Sequence, residues 1–203
     1  VERVLPAEIL VLLRSDHGGT FSKLIKQEFD RLSIPYSDPE VINRILADAN
    51  NRRMLEIFRL LVHREDSLAW ASLLKLTSGI GGKFFNYIYH RAYDAHCRFG
   101  TALLSAHADN FSGAPTVSAS RARTMIKSVL GWLDSHKAPT ENQEIGWGQW
   151  IINTAGDAVV PTPSDEFREL LVALDKLTEP KVRLDRFLGQ ITPLGKDYAA
   201  NES

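Results

Sequence analysis

The stretch 79–82, Gly-Ile-Gly-Gly, constrains the fold of this chain more than any other, because it separates two apolar segments of helical period. The first segment ends at Leu76, and the second begins after Lys83 and continues through Tyr89. Glycine turns a chain at little steric cost where a Cβ would be strained. The sequence therefore predicts a helix, a glycine elbow and a second helix.

The start of the second helix is a candidate anion site. The glycines leave backbone N–H groups uncovered, and the first N–H groups of a helix have no acceptor within the helix. The helix dipole places positive partial charge at the same end, and Lys83 adds a full charge. We expect a nucleic-acid phosphate as the ligand. The alternative is that the turn only joins two antiparallel helices, with Ile80 packed into the core between them.

The charge balance excludes a protein drawn to DNA, RNA or membrane by its overall field. The chain has 203 residues, of which 24 are basic and 25 acidic, so its net charge is −1. Any nucleic-acid contact must then be a local patch. The lone Cys97 excludes an internal disulfide and a cysteine-based zinc site, and favours a reducing cytoplasm. No apolar run is long enough for a membrane span, so we expect no membrane partner, and a monomer.

The first 37 residues predict a small strand, helix and strand. Residues 8–13 form a continuous apolar run that is typical of a buried parallel strand. Arg14 follows at its carboxyl end, where ligands gather in open α/β sheets, although an arginine that only extends into solvent is the alternative. Thr20 is a candidate N-cap for a helix with Phe21, Leu24, Ile25, Phe29 and Leu32 at helical spacing. Residues 33–36 return to extended chain.

From residue 38 to 194 the pattern is helical, so the chain is mainly α, and 195–203 is a tail. We expect apolar stripes over 41–46 and 54–62, with Arg52, Arg53, Glu56 and Arg59 towards solvent. A helix over 68–76 should be capped from 65–67, and a helix from 83 should continue to Gly100. Residues 108–120 and 137–144 are predicted loops. A serine at 118 or 120 should cap the helix that contains Trp132. Further helices are expected after the capping Ser164 and over 182–191.

Two side-chain groups in the helical part suggest sites of lower specificity. Trp147 and Trp150 lie three residues apart, as in a base-stacking pair, but core packing or an interdomain contact is the commoner role. His90, His96 and Cys97 suggest a metal, yet neighbouring residues point apart on a helix and no carboxylate stands at ligand spacing. We therefore expect no metal site.

Motifs for catalysis are missing from the sequence. It contains no G-x-x-x-x-G-K-[ST] loop for a triphosphate, no G-x-G-x-x-G, no G-x-S-x-G and no H-E-x-x-H. The paired carboxylates, such as Glu65-Asp66 and Asp165-Glu166, occupy capping positions. This chain alone is not expected to hydrolyse a substrate.

The order of several short motifs is similar to part of the UvrD/Rep/PcrA-type superfamily 1 DNA helicases. Those proteins have a strand that ends in R-[ST]-N, then a helix, G-I-P-Y, a helix with L-R-L, an N-x-x-D-D-like helix start and a G-I-G turn. The corresponding residues here lie within the first 100 positions: 10–16 (Leu-Val-Leu-Leu-Arg-Ser-Asp), 33–36 (Ser-Ile-Pro-Tyr), 58–61 (Phe-Arg-Leu-Leu), 63–66 (His-Arg-Glu-Asp) and 78–81 (Ser-Gly-Ile-Gly).

The resemblance implies that residues 1–37 are an edge of the second RecA-like domain, 2A, and that 38–194 are the helical 2B subdomain inserted into it. We then expect a piece of a longer, ATP-dependent helicase. ATP and Mg²⁺ would bind elsewhere in the parent protein, with no cofactor in this fragment. In the family the G-I-G turn, which resembles a helix-hairpin-helix, contacts the backbone of duplex DNA. The contacts implied here, together with the nearby polar and basic residues, are Lys75, Thr77, Ser78, Gly79, Ile80, Gly81, Gly82 and Lys83.

This sequence departs from the motifs of the family at three positions. Ser78 stands where the family often has an arginine before G-I-G, and Asp16 stands where it has an asparagine after the strand. Phe85 occupies a position where a helix-hairpin-helix has a small residue. Two other functions stay open. One is a module that binds a regulatory or nuclease partner through Trp147 and Trp150. The other is a helix-hairpin-helix repair protein that stands alone and does not use ATP.

Overall fold

The computed structural model describes residues 20–34, 39–137, 146–178 and 182–191. These residues form ten helices and, in the described ranges, no strand, so the prediction of a mainly α fold is confirmed. The helices are α1 (Thr20–Arg31), α2 (Pro39–Ile45), α3 (Ala49–Val62), α4 (Ser67–Lys75), α5 (Gly82–Asp94), α6 (Phe99–Ala108), α7 (Thr116–Ser135), α8 (Trp147–Thr154), α9 (Asp165–Leu177) and α10 (Leu184–Gly189).

The chain separates into two compact units, residues 1–41 and 42–203. In the first unit, α1 covers the predicted helix but begins at Thr20, which is thus its first residue and not the predicted N-cap. Ser33 follows its end in a left-handed conformation with φ 54°. Leu24 and Leu32 on its apolar face are exposed. The predicted strand over 8–13 and Arg14 lie outside the described residues. The extended chain predicted over 33–36 is wrong at Ser33, because that residue is left-handed. Ile34 has no regular structure, and residues 35 and 36 lie outside the described residues.

Helix α3 is the centre of the second unit. It packs against α4, α7 and α10, while α6 packs against both α4 and α5, and α8 against α9. Phe58 on α3 meets the rings of Trp132 and Trp150 edge to face, at centroid distances of 5.7 and 5.5 Å. Met54 and Ile57 are fully buried beside it. The apolar stripe predicted for this helix is thus the core of the unit.

Asn51 connects α3 to the start of α9. Its Nδ2 donates to the carbonyl of Ile45 and to Oγ of Ser164, each at 2.9 Å, and its Oδ1 accepts from the Ser164 amide at 2.9 Å. Ser164 in turn caps α9 by accepting from Phe167, as predicted. Asn51 is buried, and these bonds offset the cost of removing an amide side chain from water.

Glu56 does not face solvent, and that prediction is wrong. The side chain lies on the α4 side of α3, is 1% exposed, and pairs with Arg59 at 3.1 Å. Arg59 also donates to Asp66, the N-cap of α4, at 2.8 Å. Burial raises the pKa of Glu56, and the charge of Arg59 and a hydrogen bond with Ser72 offset only part of this effect. Helical period alone places Glu56 on the solvent side because the second helix that covers it is not visible in the pattern.

Replacing Glu56 by Gln is expected to change how stability depends on pH. The ionised carboxylate is disfavoured in the folded chain, so the wild type loses stability as pH rises from the unfolded pKa towards the raised folded pKa. The Gln variant lacks this loss and should gain stability relative to wild type over that interval. Urea unfolding followed by tryptophan fluorescence at several pH values above 4 measures the difference. A difference that stays constant with pH would contradict this assignment.

The helix boundaries predicted between residues 94 and 120 are wrong. Helix α5 ends at Asp94, where His96 adopts φ 48° and the amide of Cys97 bonds to the carbonyl of Ala92 at 3.0 Å. This left-handed stop is usually made by glycine, so a histidine gives no sequence signal. The predicted loop 108–120 contracts to 109–115, and the serines at 118 and 120 lie inside α7 rather than at its cap.

Glycines allow α8 and α9 to approach closely. A Cβ on Gly148 would lie 2.2 Å from the carbonyl oxygen of Leu171, and the amides of Gly148 and Gln149 donate to Asp175 of α9. Trp147 is 2% exposed and its Nε1 donates to the carbonyl of Val182 at 2.7 Å. Trp147 therefore belongs to the core, and Trp150 is half-buried against Phe58. Packing was the role that the sequence favoured over base stacking.

The replacement Gly148→Ala should destabilise the second unit by about 1–3 kcal/mol, as overpacking against backbone does. Gly131→Ala is the matched control, because a Cβ there meets nothing within 4 Å and alanine is the better helix former. Urea unfolding followed by tryptophan fluorescence measures both variants, since all four tryptophans lie in this unit. Equal stability of the two variants would show that α8 and α9 are not in close contact.

Candidate nucleic-acid interface

The turn between α4 and α5 is built from two different glycine conformations. Gly79 has φ +82°, a left-handed value that L side chains rarely adopt. Gly81 is the N-cap of α5, with extended backbone, and its carbonyl accepts from Phe84 and Phe85. Ile80 between them is buried. The predicted helix, elbow and helix are therefore present, and the core role proposed for Ile80 as the alternative is compatible with an exposed backbone around it.

Three backbone donors face outwards at the start of α5. Among the described residues, none accepts a hydrogen bond from the N–H groups of Gly81, Gly82 and Lys83. A Cβ on Gly81 or Gly82 would meet nothing within 4 Å, so the Cα of each residue borders open space. By contrast, carboxylates of Asp48, Asp66 and Asp175 accept from the first amides of α3, α4 and α8. The start of α5 can thus receive an anion from outside.

Helix α7 holds the turn in place. Oγ of Ser118 donates to the carbonyl of Gly79 at 3.0 Å, and Nη1 of Arg121 donates to the carbonyl of Ser78 at 2.7 Å. Helix α7 begins at Thr116 without a side-chain cap, so the positive ends of two helix dipoles lie near the same turn. The guanidinium of Arg121 also brings positive charge to the carbonyl of Ser78.

The surface around the turn is basic because two acid-free segments meet there. No aspartate or glutamate occurs from 67 to 93 or from 110 to 133. Those segments form α4, α5 and α7, and the hydrogen bonds from α7 to the turn bring them together. Their six lysines and arginines are Lys75, Lys83, Arg91, Arg121, Arg123 and Lys127. We call this set the basic surface.

One residue of the basic surface is partly neutralised. Arg91 lies 2.7 Å from the carboxylate of Asp109 and 3.1 Å from the hydroxyl of Tyr87, and both contacts raise its pKa, that of Tyr87 more. The other five residues of the surface have exposed side chains, and the structure shows no ion pair for them within the described residues. Arg123 donates to the carbonyl of Asn110 at 2.7 Å, which leaves its charge uncompensated.

The predicted contact residues do not all remain available. Lys75, Ser78, Gly79, Gly81, Gly82 and Lys83 are exposed. The hydroxyl of Thr77 donates to the carbonyl of Leu73 at 2.8 Å, so its proton is not free for a phosphate. The Ile80 side chain is buried. Sequence reasoning missed Ser118 and Arg121, because the link between α7 and the turn spans about 40 positions. The acid-free composition of 110–133 is the signal that would have found Arg121.

Comparisons of the chain with models of protein families, with curated proteins and with solved structures find no match. None of the described helices is long and apolar enough to cross a membrane. No cluster of three or more histidine, cysteine or carboxylate side chains that could hold a metal ion occurs in the described residues.

The replacement Gly79→Ala tests the geometry of the turn. The left-handed backbone costs a residue with a Cβ about 1–2 kcal/mol, and the new Cβ would lie 1.5 Å from Nη1 of Arg121, which must then leave the carbonyl of Ser78. We expect a loss of that size in the free energy of unfolding. Gly82→Ala, with open space around its Cβ, should cause no loss. Urea unfolding compares the two, and a Gly79 variant as stable as wild type would contradict the positive φ.

Proposed function

We propose that this chain is the helical 2B-like part, with an edge of 2A, of a UvrD/Rep/PcrA-type superfamily 1 DNA helicase. Its turn at 79–82 contacts the backbone of duplex DNA in the manner of a helix-hairpin-helix. The observation that supports it most is the basic surface, whose six cations come from two acid-free segments that meet at the turn, beside three unpartnered backbone donors, in a chain whose net charge is −1. Five motifs in the family's order support the membership, and ATP, Mg²⁺ and the cytoplasmic location belong to the proposed parent.

The chemistry of this face fits phosphate better than bases. Backbone amides and lysine or arginine side chains are the usual partners of phosphate oxygens, and such contacts position a protein without reading sequence. The site thus holds the duplex, while closing of the two RecA-like domains of the parent moves the single strand. If the chain belongs to this helicase family, the whole protein must contain the G-x-x-x-x-G-K-[ST] loop that binds ATP. A whole protein without that loop would favour the alternative of a stand-alone DNA-binding protein that does not use ATP.

The partner-binding alternative loses its main support. A pair of exposed tryptophans would favour a protein interface, because such aromatics dominate interface hot spots. Trp147 is instead buried against the segment at Val182, and Trp150 is half-buried against Phe58. Neither side chain is presented as an anchor.

The replacement Gly81→Asp separates DNA binding from folding. Aspartate is a good N-cap and should keep or slightly raise the stability of α5, while its carboxylate occupies the free amides and repels phosphate. We expect affinity for a labelled blunt duplex to fall about tenfold or more, as loss of a charge-assisted contact does. Fluorescence anisotropy at two salt concentrations measures binding, and thermal melting measures the fold.

Three comparisons make this test specific. Gly81→Asn caps the same amides without a charge and should weaken binding less than aspartate. Lys83→Glu should weaken binding at all sequences alike and reduce the salt slope by about 0.9 for the phosphate contact it removes. Lys176→Glu makes the same charge change on α9 and should leave binding unaltered. Equal effects of the Lys83 and Lys176 variants, or full binding by Gly81→Asp, would overturn the proposed contact.

A further inference from the structure

The end of α5 away from the turn carries a set of exposed aromatic rings. Tyr93 is 77% exposed and Tyr89 is 55% exposed, and Tyr93 is the most exposed large apolar side chain in the described ranges. They border an open groove of about 720 Å³ at the corner between α5 and α6. Its lining residues are Tyr89, His90, Ala92, Tyr93, His96, Cys97 and Phe99. Exposed aromatic rings grouped at one end of a helix are candidates for a binding surface.

The aromatic rings are already ordered by contacts with each other. Tyr89 lies 5.0 Å from the ring of Phe99, and Tyr93 lies 6.4 Å from the imidazole of His96. Phe85 stacks on Phe99 with an angle of 18° between the rings. Less side-chain freedom therefore remains to be lost when a ligand binds. The lining is aromatic with alanine as its only aliphatic residue, which suits a flat ring more than the branched side chains of a peptide.

The position of these rings relates them to the proposed phosphate contact. Lys83, Asn86, His90 and Tyr93 follow at spacings of three and four residues and share one exposed face of α5. The rings lie about 9 to 18 Å along the helix from the free amides, at 1.5 Å per residue. This face has no acidic residue before Asp94, and Arg98 follows the groove. Lys83 and Arg98 thus lie on either side of the aromatic residues in the sequence, with Asp94 next to Tyr93.

We propose that Tyr89 and Tyr93 stack on bases of a single strand of nucleic acid, with phosphates towards Lys83 and Arg98. The inference rests on the proposed function, because it makes α5 the element that meets the duplex at one end and a single strand at the other. Stacking does not depend on sequence, since every base presents a π face. The carboxyl end of α5 disfavours phosphate, so the bases and not the backbone face the tyrosines.

The test compares three labelled probes with the full 203-residue chain: a blunt duplex, the same duplex with an oligothymidylate tail, and the tail alone. Wild type should bind the tailed duplex more tightly than the blunt one. The double variant Tyr89→Ala, Tyr93→Ala should lose that advantage and bind the tail about 5- to 100-fold more weakly, with the blunt duplex unchanged. Tyr93→Phe keeps a stacking ring and should bind like wild type, and Leu68→Ala controls for loss of an exposed apolar side chain.

The outcomes distinguish this inference from the proposed function. If Gly81→Asp abolishes duplex binding but the double tyrosine variant binds the tailed duplex as well as wild type does, stacking is overturned and the phosphate contact stands. If wild type binds the tail through its tyrosines but not the blunt duplex, the duplex contact is overturned and stacking stands. Self-association in sedimentation that the tyrosine variant abolishes would assign the rings to a second copy of the chain and overturn the inference. Thermal melting confirms that each variant is folded.

Discussion

The second unit depends on a central helix that is buried along most of its length. Because α3 is covered by α4, α7 and α10, the polar side chains on it need partners within the protein. Asn51 finds them in the start of α9, and Glu56 finds them in Arg59 and α4. These polar contacts fix which helices lie against α3, since an apolar surface alone would accept several arrangements. The position of α4, and with it the glycine turn, follows from this arrangement.

The turn illustrates how tertiary contacts convert local backbone freedom into a defined surface. Glycine provides the unusual φ at position 79, but glycine alone would leave the turn with many conformations. The two hydrogen bonds from α7 select one of them and bring a guanidinium to its edge. The result is a group of outward amides in a field set by two helix ends and several unpaired cations. A nearly neutral protein acquires a local site for an anion in this way.

The sequence predicted what depends on neighbours along the chain. The mainly helical fold, the elbow, the cap by Ser164 and the apolar face of α3 are all local patterns, and the structure confirms them. The sequence did not predict the end of α5 near His96, because the left-handed residue there is a histidine and not the usual glycine. It also missed the burial of Glu56 and the role of Arg121, since each depends on a second helix that is distant in sequence. The sequence therefore predicted the glycine turn and Lys83 from a local motif, while the contacts of α7 with the turn became known only from the packing of the helices.

The most direct test of the account is a titration of the isotopically labelled chain with a short blunt duplex, followed by the amide resonances in heteronuclear NMR spectra. The N–H groups of Gly81, Gly82 and Lys83 are the donors that the account assigns to phosphate, and glycine amides resonate in a distinctive region. We predict that these three amides shift first and most, together with the side-chain Nε–H of Arg121, and that the shifts reverse when salt is added. Shifts centred on α8 and α9, with the turn unaffected, would contradict the account.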